Sequence, residues 1–439
     1  MGGTLRHRAR ALFSVAVAAA EPAGALRAAL ARHPLPAPGR GGSHILIAIG
    51  KAAIPMAGEM LAHLGNAPAK ALVVTNRENL RNLDGATVMQ AGHPIPDDDG
   101  LRAARAVIAL LRDARAGDRV IALISGGGSA MLPAPAGGLS LADKAEANRI
   151  FLERGLDIRE INLIRQQLST LKGGGFLRLA DPAPVSAYIL SDVVGDDLAV
   201  VASGPTVAPI GTAAEARSLI EAKGLWPLMP EAIRVHLSGG APHPVNGIAA
   251  QNHLIGSNRQ SLDAAAGVDG EAKAEIVDDR LTGDVSTAAA QIVAAAGRAR
   301  AASPACLIFG GETTVQIRGS GTGGRNQELA LRVALAMPDL RRDWVFLSGG
   351  TDGRDGPTDA AGGMVDAGTA LRIRAGGRDP AAMLAENDSH AALKLAGDLL
   401  ITGGTGTNVA DVQILLLGPR SEGPANPHMF PNQSQSREA

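Results

Sequence analysis

The chain has 439 residues, more than one hydrophobic core serves, so two domains are expected. Its formal net charge of −1, with no Lys/Arg run longer than the stretch Arg6 to Arg10, excludes a global field that recruits nucleic acid or an anionic membrane surface. A single cysteine, Cys306, excludes a disulfide framework within the chain, and no apolar run approaches the ~20 residues of a membrane span.

In chain order, the basic stretch at Arg6 to Arg10 followed by apolar residues 11–20 has the outline of a secretory leader. The same residues set Leu5, Ala9, Leu12, Phe13, Ala16 and Ala20 on one helical face. The apolar part is short and weakly hydrophobic, so we read an amphipathic surface helix in a cytoplasmic protein. Residues 44–49 form a continuous apolar run ending at Gly50, as in a strand buried on both faces. A helix at 52–64, strands at 71–75 and 119–124, a helix at 101–111 and a strand at 186–190 follow, with a capping box at Ser140 and Asp143 opening another helix. This alternation predicts a doubly wound, largely parallel sheet, with ligands beyond the carboxyl ends of its strands. The turn-rich segment 238–247 is the candidate linker. Beyond it, strands at 273–277, 306–309, 314–317, 344–347 and 412–417, with helices at 286–298, 326–337 and 389–395, predict a second α/β unit. The tail from 418 is polar and Pro-rich, which predicts disorder. Cys306 lies in an apolar strand and reads as a buried structural thiol.

Chemistry concentrates in the loops. Gly50-Lys51 sits at a strand-to-helix junction, where a lysine adds full charge to an anion-attracting helix N-terminus, although a solvated surface lysine fits equally well. Ser125-Gly-Gly-Gly-Ser129 follows a strand directly, and its glycines let the backbone approach a phosphate or carboxylate. It is no dinucleotide fingerprint, because Met131 takes the third glycine position. Lys172 precedes Gly173-Gly-Gly175, either an anion loop or a helix C-cap. Asp192, just past a strand, can ligate Mg²⁺ or accept a hydroxyl proton, whereas Asp196 and Asp197 read as turn caps. Gly323-Gly-Arg-Asn326 opens a helix, and Arg325 there opposes the helix dipole, so it requires an anion, which a bidentate phosphate or carboxylate ligand would supply. In Gly349 to Asp359, Asp352 and Asp355 either approach a Mg²⁺–nucleotide or form Asx-turns. Thr402 to Asn408 is a further hydroxyl-rich glycine loop.

These motifs, among them Ile49-Gly-Lys-Ala, Ser125-Gly-Gly-Gly-Ser-Ala, Leu190-Ser-Asp-Val-Val-Gly-Asp-Asp, Gly323-Gly-Arg-Asn-Gln-Glu and Thr405-Gly-Thr-Asn-Val-Ala-Asp, run in order over nearly the whole chain. Their wording resembles the glycerate 2-kinase family, whose C-terminal half is called the MOFRL domain. The resemblance implies a Rossmann-like N-terminal domain at 1–240, a smaller mixed-sheet α/β domain at 241–418, a tail at 419–439 and an active site in the interdomain cleft. It implies ATP- and Mg²⁺-dependent phosphorylation of D-glycerate to 2-phosphoglycerate, with Lys51, Asp192 and Arg325 carried over as the catalytic cleft residues. Ser125, Gly126, Gly127, Gly128, Ser129, Lys172, Gly323, Gly324 and Asn326 are the expected nucleotide contacts, and Asp192 and Asp352 the expected metal ligands. The expected partners are D-glycerate and ATP, with no nucleic acid or membrane, and a homodimer is left open. The rival readings are an NAD(P)H-dependent hydroxypyruvate reductase, for which no strand–GxGxxG–helix unit is found, and a non-catalytic small-anion binder.

Overall fold

The computed structural model describes residues 2–239, 249–268, 274–299 and 304–420. Most of the expected linker and the tail from 421 lie outside them.

The first sheet is built from β1 (His44–Ile49), β2 (Ala69–Asn76), β3 (Thr87–Ala91), β4 (Arg119–Ile124), β5 (Val185–Leu190) and β6 (Gln251–Gly256). Their order is β3-β2-β1-β4-β5-β6, and every pairing is parallel. The continuous apolar runs follow from burial on both faces. Ile45, Ile47 and Ile49 of β1 join one core with helices Asp98–Arg112 and Gly175–Ala180, while Leu46 and Ala48 join another with helices Pro22–Arg32 and Ala53–Leu64. Strand order reverses between β1 and β4, the switch point at which doubly wound sheets bind ligands.

The second sheet contains β7 (Ala274–Asp284), β8 (Ala305–Thr314), β9 (Arg342–Gly350), β10 (Gly362–Asp366), β11 (Leu399–Leu400) and β12 (Asp411–Arg420), in the order β11-β10-β9-β12-β8-β7. Only β7 and β8 pair in parallel, so the sheet is mixed. The separate strand expected at 314–317 is absent. β8 instead runs unbroken to Thr314, because β7 continues alongside it as far as Asp284. β12 likewise carries the chain to Arg420, two residues past the expected start of the tail.

Two elements cross the expected division at 240/241. β6 follows it in sequence yet pairs with β5 in the first sheet. Helix Gly2–Ala19 packs Ala9, Leu12, Phe13 and Ala16 against the second sheet, among Ile308, Val345, Leu347 and Ile414. Arg6 ties it there through Asp366 and Asp398. Its apolar stripe is therefore a core face. No single helix among the described residues is long and apolar enough to cross a membrane.

A third, helical core joins Leu141–Glu153, Ile158–Gln167, Ala213–Ala222 and Glu231–Ser238 through Phe151, Ile161, Ile164, Ala216, Ile220 and Ile233. The capping box of Ser140 and Asp143 opens the first of these helices, as its spacing predicts.

Candidate functional site

The carboxyl ends of β1, β4 and β5 converge. Gly50 adopts a left-handed φ of 116°, and a β-carbon there would overlap Ser125. This close approach lets the Lys51 N–H donate to the Gly126 carbonyl at 2.9 Å. The Ser125 hydroxyl is buried and committed, accepting from Ala52 N–H at 3.1 Å and donating to the Ile49 carbonyl at 3.2 Å. It locks the two loops together and is unavailable as a phosphate donor, contrary to expectation.

The glycines after Ser125 make room for an acid. A β-carbon on Gly126 would overlap the Asp192 carboxylate, and Gly127, at φ 83°, abuts the His93 ring. Asp192, two residues past the end of β5, is partly buried. Burial raises its carboxyl above the ordinary range, opposed by its own N–H, the Lys51 ammonium and the Gly127 N–H. Lys51 forms no ion pair among the described residues, and its charge acts on Asp192 and on His93. Burial, then Lys51, depresses the His93 imidazole.

From the second sheet, Arg325 opens helix Arg325–Ala336. The anion it requires is the protein's own. Its Nε and Nη2 donate to both oxygens of Asp411 at 2.6 and 3.0 Å, and Nη1 pairs with Glu312 at 2.9 Å. Asp411 is fully buried. The helix N-terminus is capped internally too, with the Asp355 carboxylate accepting from Asn326 and Gln327 N–H at 3.1 and 2.8 Å. Gly324 is required by the closeness of Asp355, and Gly323 by that of Ser389. Asn326 is buried, and its Oδ1 accepts from Ser348 at 2.6 Å, so its side chain is committed to the core rather than to a nucleotide. The Glu312 carboxyl is pushed up by burial and by Asp411, Asp192 and Asp352, against the pull of Arg325.

These groups line two neighbouring hollows between the two sheets. One, of about 990 Å³, holds Gly127, Ser129, Asp192, Glu312, Gly324 and Arg325. A second, of about 380 Å³, holds Lys51, His93, Gly126, Asp352, Arg354 and the loop at 404–408. Lys51 and Arg325 thus line different hollows, with the charge of Lys51 acting on Asp192, that of Asp192 on Glu312, and Glu312 paired with Arg325.

Two families match the chain, one described as a domain of unknown function (DUF4147), over residues 8–238, and the MOFRL family over 305–411. The D-glycerate 2-kinase of Thermotoga maritima is 40% identical over 381 residues, covering 85% of this chain and 90% of that protein. The chain belongs to the glycerate 2-kinase family. The solved structure of the glycerate kinase from the same organism has a TM-score of 0.86 at 38% identity, covering 94% of this chain and all of the other. A protein of Agrobacterium vitis that carries a hydroxypyruvate reductase name is 39% identical over 389 residues, covering 86% of this chain and all of that protein.

For a member of this kinase family the magnesium question turns on the acids. Among the described residues, no group of three or more His, Cys, Asp or Glu side chains stands close enough to hold a metal. Mg²⁺ is usually held by one or two carboxylates together with substrate phosphates, and the mutual repulsion of Asp192, Glu312 and Asp352 is the setting in which a divalent cation fits. Asp352 also forms the Asx-turn of the alternative reading, accepting from Arg354 N–H at 2.9 Å. Lys172 is buried and donates to the Ser129 carbonyl and hydroxyl at 2.9 and 2.8 Å. The C-cap reading of its glycines fails, because helix Ile158–Gln167 ends at Leu168, whereas Gly173 and Gly174 donate to the carbonyls of Ser203 and Gly204. His93, Lys144 and Arg165 escape the sequence reading, whereas Glu312 and Asp411 fall within its family motifs without a role assigned to them. For His93 the only signal is its place two residues after β3 in Ala91-Gly-His-Pro94.

Proposed function

We propose that this chain phosphorylates D-glycerate at its 2-hydroxyl, with ATP as donor and Mg²⁺ as cofactor, in the cleft between its two sheets. The observation that carries this reading is Asp192, a carboxylate of raised pKa at a strand end, held between the Lys51 ammonium and the Glu312–Arg325 pair. Phosphoryl transfer asks for positioning and charge neutralisation, with little covalent work for the protein. Lys51 draws the carboxylate of glycerate or the transferring phosphoryl group to the switch point. Asp192 orients the acceptor hydroxyl and takes its proton as the hydroxyl oxygen bonds to the γ-phosphorus and the bond to the β-phosphate oxygen breaks. Burial raises its carboxyl, which strengthens it as a general base. Asp192 and Glu312 are the carboxylates that would hold Mg²⁺, which when bound neutralises phosphate charge. Arg325, held by Asp411 and Glu312, fixes the acidic wall opposite Lys51 and adds positive charge beside the phosphates.

The kinship with a protein bearing a hydroxypyruvate reductase name leaves a reductase as the rival. The sheet order is of the dinucleotide-binding type, but the loop after β1 reads Gly50-Lys-Ala-Ala-Ile-Pro55 and lacks the second and third glycines of that fingerprint. Phosphorus NMR of the product from D-glycerate and ATP tests reaction and regiochemistry together. A 2-phosphoglycerate resonance is expected. Its absence, or NADH oxidation by hydroxypyruvate without ATP, overturns the reading.

A further inference from the structure

The Asp192 side of the cleft opens into a third hollow of about 550 Å³, reached through Gly127 and Ser129. Three cations line it, Lys144, Arg165 and Lys172. None has a carboxylate partner among the described residues. Lys144 donates to the Pro133 carbonyl, Arg165 to the Asn148 amide oxygen at 3.0 Å through Nε, and Lys172 to Ser129. Neutral dipoles alone thus hold three basic groups whose charged forms repel one another. Burial is the main cause lowering all three pKa values. Arg165 further depresses Lys144, which falls to about 7, and Lys144 and Arg165 both act on Lys172. The fourth cation of the hollow, Arg149, is already neutralised by Glu146 and Glu153, both at 2.6 Å. Asp192 is the acid that faces the hollow, at the end toward the reacting centre.

We propose that Lys144, Arg165 and Lys172 form the pole that binds the polyphosphate of the phosphoryl donor, with its reacting end directed at Asp192. The assignment rests on the kinase reading and deepens it. The number of basic groups decides between the substrates. Three basic side chains without an acidic partner, whose protonation a bound polyanion would restore, match a polyphosphate, whereas monoanionic glycerate needs one cation and finds it in Lys51. The hollow also has the apolar walls that a nucleoside requires, since Ile95 and Leu152 line it and are 75% and 60% exposed.

The test is calorimetric binding of ADP with magnesium chloride, of inorganic tripolyphosphate and of D-glycerate to the full chain. Lys144→Met and Arg165→Met should each raise the Kd for ADP about tenfold or more, the scale of one lost charge-assisted contact. The Kd for D-glycerate should hold, as should ADP binding by the control Arg149→Ala. Leu152→Asn, which adds no charge, should weaken ADP and leave tripolyphosphate unchanged. Equal loss of both overturns the nucleoside wall. Unchanged ADP binding by Lys144→Met and Arg165→Met proteins that melt cooperatively overturns the proposal, as does a loss confined to glycerate. If those variants bind ADP normally while the wild type still phosphorylates glycerate, the pole falls and the kinase reading stands. If the variants lose ADP binding while the wild type binds ADP but leaves glycerate unphosphorylated, the pole stands and the kinase reading falls.

Discussion

Replacing Arg325 is the obvious test of its role, and the structure shows why the single variant misleads. Asp411 is fully buried, and Arg325 meets both of its carboxylate oxygens, at 2.6 and 3.0 Å. Arg325→Ala removes that partner and leaves an uncompensated buried charge, at a cost of about 3–5 kcal/mol. A unit of this size loses roughly 2–4 °C of Tm per kcal/mol, so the melting temperature should fall on the order of 10 °C. Removing both charges in Arg325→Ala/Asp411→Ala eliminates the stranded carboxylate and should recover most of that fall, since replacing a buried pair by apolar groups is often neutral. Differential scanning calorimetry of the two variants measures the coupling, and kcat/KM for glycerate is read on the double variant. It should remain down by orders of magnitude if Arg325 stabilises the transferring phosphate. A single variant that melts within about 3 °C of wild type would refute the energetic argument. Wild-type kcat/KM in the double variant would refute the catalytic one.

Further tests address the groups around this pair. Asp192→Asn should abolish the acid limb of the kcat/KM profile; in the wild type that limb should lie above the ordinary carboxylate range, because burial raises the carboxyl. With the folded pKa above the unfolded one, the folded state holds its proton more tightly, so Asp192 weakens the fold as pH rises through that range. Asp192→Asn should therefore raise Tm at neutral pH while lowering kcat, and a lowered Tm would contradict this sign. Gly126→Ala inserts a methyl group where the Asp192 carboxylate lies, and should lower kcat/KM on the order of 100-fold by displacing that acid; steady-state kinetics at wild-type level would show that its position is unimportant. Cys306 is 1% exposed with its thiol pushed up to about 11, so a thiol reagent at a pH of about 8 should titrate nothing until denaturant is added, and rapid native labelling would contradict that.

What the sequence discloses follows from burial. β1, β4 and β5 are covered on both faces, so their continuous apolar runs are readable and so are the loops at their ends, which is how Lys51 and Asp192 come into view. The edge strands β3 and β6 are half covered and carry polar residues such as Gln90, Gln251 and Asn252, so neither run stands out. Arg325 is recognisable as a cation that needs an anion, but Asp411 lies 86 residues away and only the pairing of β12 with β8 and β9 brings it near. Lys144 and Arg165 lie on helices of mixed polarity, where a charge ordinarily means a solvated face. It is the packing of those helices over the end of the first sheet that turns both cations inward.

The glycine-rich loops carry a more general lesson. A run of glycines signals close approach of backbone to something, and phosphate is the first candidate when the run follows a strand. Here the approaching groups are the protein's own acids, with Asp192 against Gly126 and Asp355 against Gly324. The loops therefore hold carboxylates in place, and the groups left for an anionic guest lie to either side, Lys51 in one hollow and Lys144, Arg165 and Lys172 in another. Asp192 lines both the hollow of Lys144, Arg165 and Lys172 and the one that holds Glu312 and Arg325. On the donor reading proposed above, a polyphosphate held by the three basic side chains would meet Asp192 at its reacting end.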